Sequence, residues 1–163
     1  MMKYIYYIAE RFILSDNKEY HHGLKKEHFK EIVTMDSILC KERYFDLNTN
    51  EYIGRKENYD NISRFKYTRN EQIIKCLKVE KSHVIQKFDE FEFCGYDIID
   101  YFEDNSLITG YDIYYDINLY IYSEYGLLNS YIEVINWINN HRSYTQELQN
   151  EEYEIYAVWR KIN

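Results

Sequence analysis

Phe91-Glu92-Phe93-Cys94-Gly95-Tyr96-Asp97-Ile98-Ile99-Asp100 is the stretch that most limits what this chain can become. A strand with one wet face alternates apolar and polar residues, whereas a near-continuous apolar run fits a strand covered on both faces. It is expected to be a central strand. The acidic run Tyr101-Phe102-Glu103-Asp104-Asn105-Ser106 follows directly, so the strand should end in a cluster of carboxylates.

Other segments can be read around this one. Residues 3–14, rich in Tyr, Ile and Phe, favour a first strand because β-branched and aromatic side chains pack well on a pleated surface. Ser15-Asp16-Asn17 reads as a turn and Tyr20-His21-His22-Gly23 as a loop. From Leu24 to Met35, Phe29, Ile32 and Val33 recur at helical spacing opposite Lys25, Lys26, Glu27, Lys30 and Glu31, which predicts an amphipathic helix. Ile38 to Asp46 and Tyr52 to Lys56 flank the turn-forming Leu47-Asn48-Thr49-Asn50, the pattern of a hairpin. Arg64-Phe65-Lys66-Tyr67 alternates as a short strand would.

From Glu71 to Phe88, Ile73, Ile74, Leu77, Val84, Ile85 and Phe88 predict a helix, although Leu77 and Val79 also alternate. Ile113, Tyr115, Ile117, Leu119 and Ile121 fit strand and helix equally. Gly126 closes that segment as a positive-φ terminator. Ser130 and Glu133 then form a capping-box pair, and Tyr131, Val134, Ile135 and Ile138 make one helical stripe, with His141 and Arg142 complementing the helix dipole near its end. After a polar linker from Ser143 to Glu152, Tyr153 to Ile162 form a last strand. At 163 residues, with no internal repeat, the length fits a single domain over 1–163. The expected fold class is α+β, a mainly antiparallel sheet with two or three packed helices.

Composition narrows the functional classes. With 45% hydrophobic and 18% aromatic residues the chain has the apolar surface needed to fold. A net charge of -8 argues against a nucleic-acid backbone as ligand, since that contact depends on clustered Lys and Arg. It favours a basic partner. The twenty tyrosines suit recognition, each offering a large ring with a hydroxyl at low entropic cost. The apolar start Met1 to Ala9 is interrupted by Glu10 and Arg11 before a membrane span is complete, so no membrane association is expected. Cys40, Cys76 and Cys94 lie far apart without paired spacing, which points to the reducing cytoplasm rather than to disulfides or zinc.

No motif stands at a spacing that catalysis or metal binding requires. His21, His22 and His28 cluster, but adjacent histidines point opposite ways in an extended chain and no further ligand pair completes a site. A Cys94-His83-Asp97 nucleophile arrangement can be drawn, yet a cysteine inside an apolar run is ordinarily an inert core residue. No catalytic residue, cofactor or metal is expected. The feature left over is an acidic, tyrosine-bearing patch: Asp97, Asp100, Tyr101, Glu103, Asp104, Tyr111, Asp112 and Asp116. Charge complementarity would speed encounter with a basic cleft, and the aromatic anchors would hold it.

Phe93 to Asp100, Ser106-Leu107-Ile108-Thr109, Glu124-Tyr125-Gly126-Leu127-Leu128 and Tyr156-Ala157-Val158-Trp159-Arg160 resemble small bacterial proteins of the toxin-immunity type, over roughly the C-terminal half. The resemblance implies a soluble cytoplasmic binder without chemistry of its own, whose acidic patch covers the basic active site of a toxin or nuclease. A phage-encoded inhibitor of a host defence protein would share these features, and a small-ligand-binding domain or thiol enzyme using Cys94 is the competing class.

Overall fold

The computed structural model describes residues 4–10, 12–13, 31–32, 44–46, 51–53, 71–100, 106–110 and 122–162. The elements run β1 (Tyr4–Glu10), β2 (Phe12–Ile13), β3 (Glu31–Ile32), β4 (Tyr44–Asp46), β5 (Glu51–Ile53), β6 (Glu71–Val79), β7 (Phe91–Asp100), α1 (Leu107–Gly110), α2 (Tyr131–His141), a 3₁₀ turn (Arg142–Tyr144), α3 (Gln146–Gln149) and β8 (Tyr153–Lys161). The class is α+β. Four strands form an antiparallel sheet in the order β1-β6-β8-β7, and β2-β3 and β4-β5 form separate two-stranded ladders. The expected hairpin is present as β4 on β5; its turn, residues 47–50, lies outside the described residues.

Three expectations are corrected. Glu71–Val79 is a strand, not the start of a helix. Residues 72–77 are all buried, and a helix exposes one side of itself. A strand flanked by β1 and β8 can bury residues on both faces, including Gln72 and Lys75, which the helix reading would have put in water. Glu31–Ile32, placed by periodicity in the helix from Leu24 to Met35, pairs instead with Phe12–Ile13; the rest of that segment lies outside the described residues. β7 is covered on both faces as expected, yet it occupies an end of the four-strand order rather than the middle.

The outer edge of β7 is occupied by the chain that follows it. Tyr96 N–H donates to Leu128 O at 2.8 Å and Leu128 N–H to Tyr96 O at 3.0 Å, while Ser106 bridges Ile99. This approach requires a glycine. Gly95 has φ +130°, and a Cβ there would stand 2.7 Å from both Leu127 Cβ and Leu128 O. Cys94 just before it is the extra residue of a bulge, where pairing shifts from Phe93↔Trp159 to Gly95↔Val158. Gly126, at φ 75°, makes the tight turn that returns the chain, as its position suggested.

Ser130 caps α2, its Oγ accepting from Glu133 N–H at 3.2 Å. The stripe is shifted from the expected one: Val134, Trp137 and Ile138 are buried, whereas Ile135 faces outward. Trp137 Nε1 donates to the Tyr122 hydroxyl at 3.2 Å, and the His141 ring stacks on Trp137 at 4.3 Å. The presumed polar linker contains α3, capped by Thr145 through Leu148 N–H, with Leu148 driven fully into the core. The closing strand β8 is as expected.

Candidate functional site

The cross-strand register sorts the sheet into two chemically distinct faces. Tyr6, Lys75, Trp159 and Phe93 are successive Cα partners across all four strands and so share one face. Arg160 follows Trp159 and therefore points the other way, level with Ile74 and Glu92. One face is aromatic around a lysine. The other carries an arginine between carboxylates.

On the arginine face, Arg160 Nη1 donates to Glu31 Oε2 at 2.8 Å and its Nε to Glu92 Oε2 at 3.2 Å. Its guanidinium lies 4.7 Å from the Tyr125 ring centroid, and the Tyr125 hydroxyl donates to the same Glu92 oxygen at 2.7 Å. Gln72 Nε2 completes Glu31 with a 2.8 Å bond to Oε1. Glu31 is 1% exposed, which a carboxylate tolerates only when paired and hydrogen-bonded. Burial disfavours the Arg160 charge, but Tyr125, the bond to Glu92 and the nearby Glu31 outweigh it and raise its pKa. Burial, together with the bond to Glu92, pushes the Tyr125 hydroxyl well above the usual tyrosine range.

Cys94 borders this network. Burial pushes its thiol far up; Arg160 pulls the other way, and Glu92 and Glu31 add to the rise. Its Sγ–H points to Glu92 O at 3.5 Å. A nucleophilic thiol needs the opposite, an exposed and electropositive setting that favours thiolate. His83 does not come to its aid: its ring packs edge-on against Tyr96 at 6.1 Å, and Tyr96 and Asp97, being consecutive in a strand, project to opposite faces. The Cys94-His83-Asp97 arrangement is not assembled.

On the aromatic face, Lys75 is 5% exposed, with its Nζ between the rings of Tyr4, Tyr6, Phe88 and Phe91. Burial lowers its pKa from the ordinary lysine value. Phe88 belongs to the segment of residues 80–90, which crosses this face and is tied down by the Tyr4 hydroxyl donating to Gln86 Oε1 at 3.1 Å.

Of the acidic patch, the structure places Asp97 and Asp100 inside the protein, at 0% and 4% exposure. Asp97 Oδ1 accepts from the Ser106 hydroxyl at 2.7 Å and from Ile98 N–H at 2.8 Å, linking β7 to the start of α1. As placed, neither residue offers surface to a partner. Tyr101, Glu103, Asp104, Tyr111, Asp112 and Asp116 lie outside the described residues, as do His21, His22, His28, Cys40 and residues 64–67. Among the described residues no group of His, Cys, Asp or Glu could hold a metal ion. No described helix is long and apolar enough to cross a membrane.

Sequence reasoning missed Arg160, Glu31, Glu92 and Lys75. Two of them carried a signal: a charge set between strand-forming apolar residues, as in Phe91-Glu92-Phe93 and Ile74-Lys75-Cys76. Such charges are either exposed on an alternating strand or paired inside, and only the pairing partners decide which. Comparison with protein families, curated proteins and solved structures finds no match to this chain.

Proposed function

We propose that this chain is a small acidic binding protein of the cytoplasm that inhibits a basic protein partner by stoichiometric complex formation, as an immunity protein against a bacterial toxin or nuclease does. The observation that carries the reading is the setting of Cys94. The one nucleophile for which a mechanism could be drawn lies in the core at 1% exposure, beside two carboxylates that oppose its ionisation. Recognition is then the activity that the net charge of -8 supports, because an acidic surface steers toward a basic cleft.

The test uses the basic protein that a pull-down with this chain as bait recovers. The two purified proteins, titrated in a calorimeter, are expected to form a one-to-one complex whose affinity falls with added salt. Glu103→Lys with Asp104→Lys should weaken it at least about tenfold without lowering the melting temperature. Asp97 and Asp100 are left intact in that variant because they are buried. An unchanged affinity removes the acidic run from the interface, and the absence of any complex overturns the reading.

A further inference from the structure

The Lys75 ammonium is enclosed by aromatic rings, with no counter-ion among the described residues. Its Nζ lies 3.3 Å from the ring centroid of Phe88, 4.5 Å from Tyr4, 5.2 Å from Phe91 and 5.4 Å from Tyr6. Among the described residues the ion pairs are made by Lys78, Arg142 and Arg160, and no carboxylate is paired with Lys75. Taking an ammonium out of water without an anion is costly, and the negative faces of aromatic rings are the means of offsetting that cost on this side of the sheet.

The rings are held by one another as well as by the lysine. Tyr4 meets Phe88 edge-on at 5.6 Å, Phe88 meets Phe91 edge-on at 6.5 Å, and Trp159 lies 5.9 Å from Tyr4 and 5.6 Å from Phe88. They come from three pieces of chain: β1, the segment 80–90 and β7. An enclosure braced in this way keeps much of its shape when its occupant changes.

We propose that these four rings form an alkylammonium-binding site, which the chain keeps filled with its own Lys75 and closed by residues 80–90. The ligand chemistry is a cationic alkyl- or methyl-substituted nitrogen, brought either by a free quaternary ammonium compound or by a lysine side chain of another protein. Burial lowers the pKa of Lys75, whereas a quaternary ammonium cannot lose its charge and occupies the enclosure at any pH. The inference is independent of the basic-partner reading above.

Lys75→Ala removes the occupant. Tetramethylammonium is then expected to raise the melting temperature of Lys75→Ala and not of the wild type. It should bind at least about tenfold tighter than the uncharged neopentyl alcohol, the ratio expected of a desolvated cation–ring contact. Adding Phe88→Ala should abolish that preference. A trimethyllysine peptide run in parallel separates the sources: tighter binding than tetramethylammonium assigns the ligand to a protein side chain, and equal or weaker binding assigns it to a free cation. Equal binding of cation and alcohol, or no binding of either, by folded Lys75→Ala overturns the proposal. Should that variant not fold, the wild type decides by NMR. The Lys75 Hε protons are expected upfield of those of Lys78, Lys81 and Lys87 through ring currents, and coincident shifts overturn the enclosure itself.

Discussion

Removing Arg160 tests how the sheet tolerates a buried carboxylate. In Arg160→Met, Glu31, whose side chain is 2% exposed, would keep its bond from Gln72 and lose the cation 2.8 Å away. Breaking a buried ion pair by removing one partner costs about 3–5 kcal/mol. Glu31→Gln removes the charge but leaves an amide oxygen for Gln72, and Arg160 retains Glu92, so about 1–2 kcal/mol is expected. The double variant sets an apolar side chain beside a neutral amide. It should cost about 2 kcal/mol less than the sum of the single changes, because no buried carboxylate is then left without its arginine. Glu92→Gln is the control: its side chain is 38% exposed, and its loss should cost no more than about 1 kcal/mol. Urea unfolding followed by the fluorescence of buried Trp137 and Trp159 measures all four variants. Single-variant costs that add to within about 0.5 kcal/mol would refute the coupling, and with it the claim that Glu31 depends on Arg160.

Gly95→Ala combines a φ of +130° with two contacts at 2.7 Å, so strain and overpacking together should cost about 3–5 kcal/mol. Gly126→Ala, at φ 75°, should cost only about 1–2 kcal/mol, and similar melting temperatures for the two variants would contradict the close crossing at Leu128. Cys76 and Cys94 are expected to resist alkylation in the native protein and to stay unlinked under oxidation, which mass spectrometry reads directly. Their strands are separated by β8, about 9.5 Å across two strand spacings against a disulfide limit of about 7 Å. Stability should fall as pH rises from about 10 to 12. Burial lifts the Tyr96 and Tyr122 hydroxyls to about 12, so the fold holds protons that the unfolded chain has already released; this stability is complete below the unfolded tyrosine value and is lost through the folded one. Lys75, with its lowered pKa, works in the opposite sense, and a protein whose melting temperature rises over that range would show that the tyrosines are not buried in this way.

Much of the fold was legible because its signals are local. The covered strand at Phe91–Asp100, the closing strand at Tyr153–Lys161, the Ser130 cap and the Gly126 turn each depend on residues a few positions apart, and each stands where the sequence put it. The 71–79 segment was misread because Ile73, Ile74 and Leu77 satisfy helical spacing, while its burial on both faces depends on β1 and β8, distant in sequence. The carboxylates at the end of β7 illustrate the same limit. Sequence alone shows an acidic cluster; that Asp97 and Asp100 lie inside is a property of the folded chain, in which Asp97 meets the Ser106 hydroxyl nine positions on.

By itself, then, the sequence determined the fold class, the acidity and the strand that ends in carboxylates, since composition and short-range periodicity carry that information. Only the tertiary structure decided which charges are internal. Arg160 meets Glu31 from 129 positions away, and Lys75 meets Tyr4 and Phe91 from either side along the chain. A buried charge is tolerable only where its partner or its aromatic walls are already in place, and those are supplied by strand order and register rather than by any neighbour in sequence.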